Sequence, residues 1–440
     1  MERRAPSCPN SICGHDRAWP SSIVIERHHH TDRLSTMSST VRTHLYLICA
    51  CLFSLSACST LGGARKTAQT KMVRAQQTIP EEKLLDVDIV IFTGDAISEK
   101  RARKEGTNPE VRKAENHFIP HHLKNTLEQS GHWGMVRVTP VPSDAAEVLV
   151  RGEIIESNGE HLEVKLSVSD ASGRVWLEKR YHASATGGDY LGTTAGEKDA
   201  FQGLYNAVSN DMARLLQGLS PDQIQTLRTV SNLRFAGNFA PQVFGDYLQE
   251  NKGSFTVKRL PADNDTMMAR ILQIRERQYM LEDVINQYYE DFYNKMWVPY
   301  EGWRSANLTE RLALAQQKRS ALLREAAGAM LIALAILGEV SDVHDSGALT
   351  ATMVILGGQV FLSGVNISKQ AQMHYETLAE LSESFGSEMK SAVMEFEGKK
   401  YELTGSAEEQ YKRWRELLRQ IYYAETGFSA AETSDKAEPK

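Results

Sequence analysis

The sequence predicts an α+β protein: an α/β domain with antiparallel strands, followed by a mainly helical domain that contains an apolar helical hairpin. Three stretches carry this expectation. "HLEVKLSVSD" (161–170) alternates without a break and places Leu162, Val164, Leu166 and Val168 on one face, as a half-buried antiparallel strand requires. Ile271, Ile274, Gln278, Leu281, Ile285, Tyr288 and Phe292 are spaced three and four apart, a coiled-coil-like seam interrupted by one polar residue. "AAGAMLIALAILG" (326–338) and "GALTATMVILGGQVFLSGV" (347–365) are apolar all round, and such helices must be buried somewhere.

The elements follow in chain order. Residues 1–36 show neither periodicity nor a targeting signal and read as an upstream extension from an early start codon. Residues 37–57 have one Arg (Arg42), an apolar core from Leu45 to Leu55, and small residues before Cys58. That is the layout of a secretory signal, with an apolar run too short to span a bilayer. Leu55-Ser56-Ala57-Cys58 resembles the lipobox of bacterial lipoproteins. The resemblance implies cleavage before Cys58 and lipid attachment to it. Two or three acyl chains anchor stably where one is marginal. Ser59 follows, whereas aspartate at that place retains enterobacterial lipoproteins in the inner membrane, so the implied location is the outer membrane, facing the periplasm.

The cysteines are Cys8, Cys13, Cys49, Cys51 and Cys58, so a chain processed in this way keeps Cys58 alone and has no disulfide. Residues 1–57 hold six Arg and four acids, a surplus of two positive charges. With −6 for the whole chain, the part from Cys58 onward carries −8. A mildly acidic protein has no electrostatic footprint for nucleic acid.

Residues 58–80 carry Arg65, Lys66, Lys71 and Arg74 and no acid, and read as a flexible lipidated tether. An α+β domain over 81–220 follows, with room for one core. Val87, Ile89 and Ile91 suggest a strand, and the charged stretch around Lys100–Glu105 a solvated segment. "IPHHLKNTLEQSG" (119–131) predicts a helix with Pro120 in its first turn and Gly131 at its end. Met135–Val138 and Glu147–Ile155 read as strands, and "DASG" (170–173) turns the alternating strand into "RVWLEKRYH" as a hairpin. Phe201, Leu204, Tyr205, Val208, Met212, Leu215 and Leu216 predict the closing helix.

Residues 221–261 are poorly patterned and read as a connector. The helical domain is expected over 262–426, with the apolar hairpin at 326–365 and a small β-hairpin at 393–404, in which Met394 and Phe396 face Tyr401 and Leu403. Ser406 and Glu409 form a capping box that opens a last helix, and residues 427–440 read as a disordered tail. At 1.5 Å per residue the two apolar arms span about 20 and 28 Å, against a bilayer core of about 30 Å. Burial within the domain or an oligomer is favoured over membrane insertion, with a partner-binding groove as a third possibility.

The run of helix, "SGHWGMVRV", "AAEVLVRGEI", alternating strand and "DASGRVWLEKRYHA", over about 85–218, resembles the TolB amino-terminal domain and the CsgG-like and LpoB-like envelope lipoproteins. The resemblance implies a domain that docks partners or oligomerises. No propeller follows, unlike TolB, and the large helical region sets the chain apart from LpoB.

Motifs of catalysis are missing. His117, His121, His122 and His132, with Glu115, form the densest ligand-type cluster. Pro120 disfavours a helix across His117 and His121, so they are expected as surface imidazoles around a helix start. "GDYLGTTAGEKD" (188–199) fails as a phosphate loop: three residues separate Gly192 from Gly196, and Glu197 precedes Lys198. Asp342 and Asp345 read as turn residues. No catalytic, cofactor or metal residue is therefore assigned, and Cys58 is the assigned lipid-attachment site. The expected function is a non-enzymatic outer-membrane lipoprotein acting in docking or assembly, with an envelope protein or a second copy as partner. The alternative is a subunit of an oligomeric transport or secretion channel that inserts 326–365. An envelope hydrolase without a recognisable motif is a third hypothesis.

Overall fold

The computed structural model describes residues 70–94, 109–337, 369–387, 389–396 and 398–427. The chain forms β1 (Val87–Val90) and β2 (Thr93–Gly94), crosses through α1 (Pro109–Ser130) to β3 (Val136–Thr139), and continues as β4 (Val148–Ser157), β5 (His161–Asp170) and β6 (Val175–Ser184). The strand order is β3-β1-β4-β5-β6, with β2 beside β4. The protein is α+β, but its sheet is mixed: β4, β5 and β6 pair antiparallel, while β1 runs parallel to both β3 and β4. A parallel pair needs a crossover, and α1 supplies it between β1 and β3. All four residues of β1 are buried, including Asp88, so the alternation of Val87 and Ile89 marks a central strand rather than a half-exposed one. On β5 the alternation is kept: Leu162, Val164, Leu166 and Val168 are buried between partly exposed neighbours.

Helix α1 begins ten residues before the expected Ile119 and carries Pro120 in its interior. Proline cannot donate to the carbonyl four residues earlier, that of Asn116. The N–H of Phe92, just past β1, donates to this carbonyl at 2.9 Å and removes the penalty of an orphaned acceptor.

Helix α2 (Gln202–Gln217) packs on α1 and β6. The supposed connector is built structure: α3 (Pro221–Phe239), the short α4 (Pro241–Phe244), and a hairpin of β7 (Leu248–Asn251) and β8 (Ser254–Val257). Ser220 caps α3 reciprocally with Gln223, and Pro221 occupies the first turn. Ile224, Leu227, Val230, Leu233, Phe235 and Phe239 are all buried, on more than one side of the helix. A one-face apolar stripe was therefore never there to be read.

Helix α5 (Thr266–Leu337) has 72 residues, roughly 110 Å of continuous helix. Its first part, from Ile271 to Leu308, is buried against α1, β3, α3 and α7 (Ala407–Thr426). Beyond Leu308 the helix leaves that cover: Leu312, Leu322 and Leu323 are 50%, 64% and 70% exposed. Helix α6 (Lys369–Ser387) runs antiparallel to it, with His374 against Gly302 and Phe385 stacked on Tyr288 and Phe292. The hairpin β9 (Ala392–Phe396) and β10 (Lys399–Leu403) sets Met394 opposite Tyr401 and Ala392 opposite Leu403. The Ser406–Glu409 capping box is present, and Gly427 ends α7 in the left-handed region at φ 72°. Buried apolar side chains of the sheet, α1–α3, α5–α7 and the last hairpin form one contiguous core.

The expected tether is tied down from Thr70. The Asn210 amide of α2 accepts from the Val73 N–H at 2.8 Å and donates to the Lys71 carbonyl at 2.9 Å, and the Ala75 N–H donates to the Ser130 carbonyl. Residues 1–57, Cys58, Asp342, Asp345, the second apolar arm 347–365 and the tail 428–440 lie outside the described residues. The first apolar arm is the end of α5 as far as Leu337. Among the described residues no helix is long and apolar enough to cross a membrane.

Candidate functional site: a polar cleft between α1 and the long helix

Four residues of α1, two pairs four apart, present their rings to α5. His117 lies among Tyr289, Phe292 and Phe385, and Phe118 stacks on Tyr293 and meets Tyr300 edge-on, both at 4.6 Å between centroids. His121 meets Tyr293 at 4.9 Å, and His122 meets Tyr205 of α2 at 4.5 Å. Of the histidines expected on the surface, His121, His122 and His132 are buried and His117 is half-buried. His117, Phe118, His121 and His122 share one helix because α1 runs on through Pro120, and the aromatic stretch of α5 closes over them.

His122 is fully committed. Its Nε2–H donates to Gln202 Oε1 at 2.8 Å, and that same oxygen accepts from the Asp199 N–H, which fixes it as an acceptor. Nδ1 is then the acceptor for the Tyr293 hydroxyl at 2.7 Å, and the Tyr293 oxygen accepts from the Gly196 N–H at 2.9 Å. Gly196 sits at φ 73° in the glycine-bearing loop before α2, so the loop that fails as a phosphate cradle orients Tyr293 instead. Burial pushes the His122 imidazole below its ordinary range and keeps it neutral.

Beside this chain lies a buried ion pair. Arg304 of α5 reaches Asp199 at 2.5 and 3.3 Å, and the Phe201 N–H donates to the same carboxylate at 2.7 Å. Burial, the largest single influence, would raise the Asp199 pKa, but the charge of Arg304, the nearby His122 and the hydrogen bonds from Arg304 and the Phe201 N–H together outweigh it and hold the carboxyl below the usual range. Glu115 accepts from the hydroxyls of Ser157 and Tyr300 at 2.5 and 2.6 Å and pairs with Arg112 at 3.0 Å. The β4–β5 turn backs onto α5 here: Asn307 donates to the Asn158 carbonyl at 2.7 Å, and a Cβ on Gly159 would collide with the Arg304 carbonyl oxygen.

His121 differs from its neighbour. It is 1% exposed, and neither ring nitrogen has a hydrogen-bond partner. Burial, then the nearby Lys124, lowers its pKa to about 3, so the ring is neutral. It lines an open cleft of about 290 Å³ with Glu128 and Gln129 of α1, Glu197 of the loop, and Glu290, Tyr293 and Asn294 of α5. A smaller recess of about 150 Å³ shares Glu128 and Glu290 and continues past Asn286 to Arg137, which pairs with Asp283 at 3.0 Å. Behind Arg137, Asp88 and Glu282 are buried in the sheet–helix interface. Burial, followed by Glu282, holds Asp88 well above the ordinary carboxylate range.

No family model matches this chain, and no curated protein or solved structure is measurably similar to it.

The cleft presents a neutral imidazole, three carboxylates, amides and a tyrosine already engaged. Among the described residues no three His, Cys, Asp or Glu side chains converge as metal ligands do. His117 and His122 point to separate partners, and His132 lies past the end of α1. Tyr293, Glu290, Gln202 and Gly196 were not singled out as site residues by sequence. Their one signal was the coincidence of a four-residue histidine spacing with an aromatic-rich helix.

Proposed function

We propose that the chain is a non-enzymatic lipoprotein of the outer membrane, facing the periplasm, that acts in docking or assembly in the cell envelope. The observation that carries this reading is Leu55-Ser56-Ala57-Cys58 at the end of a secretory-signal layout. The fold supports it by tying the chain down from Thr70. Eleven residues then separate Cys58 from Thr70, a reach of at most about 40 Å. The finer architecture proposed with it is a periplasmic α/β part followed by a helical part with an apolar hairpin at 326–365.

A second reading, a subunit of an oligomeric transport or secretion channel, is favoured by one feature. Helix α5 runs without a break from its buried part, past exposed Leu312, Leu322 and Leu323, into the apolar stretch that begins at Ala326. Fractionation of a Cys58→Ala variant separates the two. Docking through a lipid anchor predicts its full recovery in periplasmic extract. Retention in membranes after a high-salt wash overturns lipid-only anchoring and supports insertion of 326–365. Cross-linking of the lipidated chain in its own membrane is expected to return one reproducible envelope partner or self-cross-links. Lipid without protein overturns docking.

A further inference from the structure

We propose that the cleft between α1 and α5 is a binding site for an alkylguanidinium group, seated with its planar N–H fork between His121 and the carboxylates of Glu128, Glu197 and Glu290. The first observation is the floor. His121 is buried, lines the cleft, and has no protein partner on either nitrogen. A buried imidazole nitrogen without a partner has lost its water and gained nothing in return, a penalty that a ligand donor relieves. Being neutral, the ring offers one acceptor nitrogen and one donor and adds no positive charge to the cleft.

The second observation is the rim. Glu128 shares its charge with Lys124 at 2.8 Å, whereas Glu197 and Glu290 make no ion pair with another described residue. The rim is therefore net negative, which excludes an anion, and its polar lining disfavours an apolar ligand. The absence of three converging ligands among the described residues disfavours a metal ion. An organic cation remains. Acceptors come from three separate elements, α1, the loop before α2 and α5, so they surround the occupant instead of meeting at one point. A guanidinium carries five donors in a fixed planar fork and can serve all three directions, whereas an ammonium is a compact point charge. The volume, about 290 Å³, lies at the foot of the roughly 300–1,000 Å³ range of ligand cavities and suits a side-chain-sized group.

Such a group has two sources: the arginine of a protein partner, which rests on the docking function proposed above, or a free guanidino compound, which does not. Titration calorimetry on the full chain in detergent, with agmatine, arginine amide, citrulline amide and the blocked peptide Ala-Arg-Ala, tests the site and separates the sources. Agmatine and arginine amide are expected to bind, with citrulline amide, the neutral isostere, at least about tenfold weaker. Binding of the blocked peptide as tightly as arginine amide assigns the occupant to a partner's arginine. Binding of the small compounds without the peptide assigns it to a free cation and overturns the arginine arm alone. His121→Phe keeps an aromatic ring against Tyr293 and is expected to weaken agmatine binding about tenfold. Glu290→Gln, at an exposed position that folding does not need, is expected to do the same. No heat up to about 10 mM agmatine, equal binding of arginine and citrulline amides, or wild-type affinity in both variants overturns the proposal. The outcome is independent of membrane fractionation, so it can fail while the lipoprotein reading stands, and the reverse.

Discussion

Three imidazoles in one helix face, His117, His121 and His122, are held neutral by burial, and this sets how the fold responds to acid. Unfolded histidines take up a proton near pH 6.5, while folded His121 refuses one down to about pH 3. Above pH 6.5 both states are neutral there and the contribution to stability is complete. Below it the unfolded chain alone is protonated at this position, so stability falls by about 1.4 kcal/mol per pH unit through His121, and His117 and His122 act in the same sense. Asp88 and Glu282 act in the opposite sense, because their raised pKa values cost stability as pH rises. The quantity to measure is therefore a difference. Between pH 7.5 and 5 the urea-unfolding free energy of the wild type is expected to fall by about 2 kcal/mol more than that of His121→Phe. Equal pH slopes would show that His121 is protonated in the folded protein. The four histidines were conspicuous in the sequence, but their surroundings were not. Whether an imidazole is wet or buried depends on Tyr205, Tyr293 and Phe385, all more than 80 residues away.

Elements here are completed by groups from other elements. Strand β3 is the edge of the sheet, and an open edge invites pairing with another chain. Asn286 of α5 takes the place of the next strand: its Oδ1 accepts from the Val138 N–H at 2.8 Å and its Nδ2 donates to the Val138 carbonyl at 3.1 Å. Asn286→Ala leaves two buried backbone groups unpaired and is expected to cost about 2–4 kcal/mol. Denaturant unfolding gives the loss, and faster hydrogen exchange at the Val138 amide locates it. A loss below about 0.5 kcal/mol would mean that water replaces the amide and that the edge is not sealed. The same dependence made α1 illegible at its start. Pro120 signals a helix beginning by local rules, and only the Phe92 N–H, which satisfies the Asn116 carbonyl, lets the helix run through it. Ser220–Gln223, by contrast, was a readable capping box whose helix was hidden because it is buried on several sides.

For the molecule as a whole, the sequence suggested two domains joined by a connector, and the packing joins them. Phe118 of α1 lies among Tyr293, Trp297 and Tyr300 of α5, and Arg275 of α5 donates to the Ala145 carbonyl at 2.8 Å and to the Ser231 hydroxyl at 3.0 Å. Removing the helical part strips the core side of α1 and the edge of the sheet. A fragment of residues 70–261 is expected to show no cooperative thermal transition and to bind hydrophobic dye. A sharp two-state transition in that fragment would restore the two-domain division.

What the sequence determined by itself was whatever depends on neighbours along the chain: the alternation of β5, the β9–β10 hairpin, the Ser406–Glu409 cap and the helical seam from Ile271. The tertiary structure decided the parallel setting of β1, the passage of α1 through Pro120, the helix in 221–239, and the cleft with His121 at its floor. Each of these rests on a hydrogen bond or a burial between residues far apart in sequence. Local periodicity shows that a side chain will be covered, but not what will cover it.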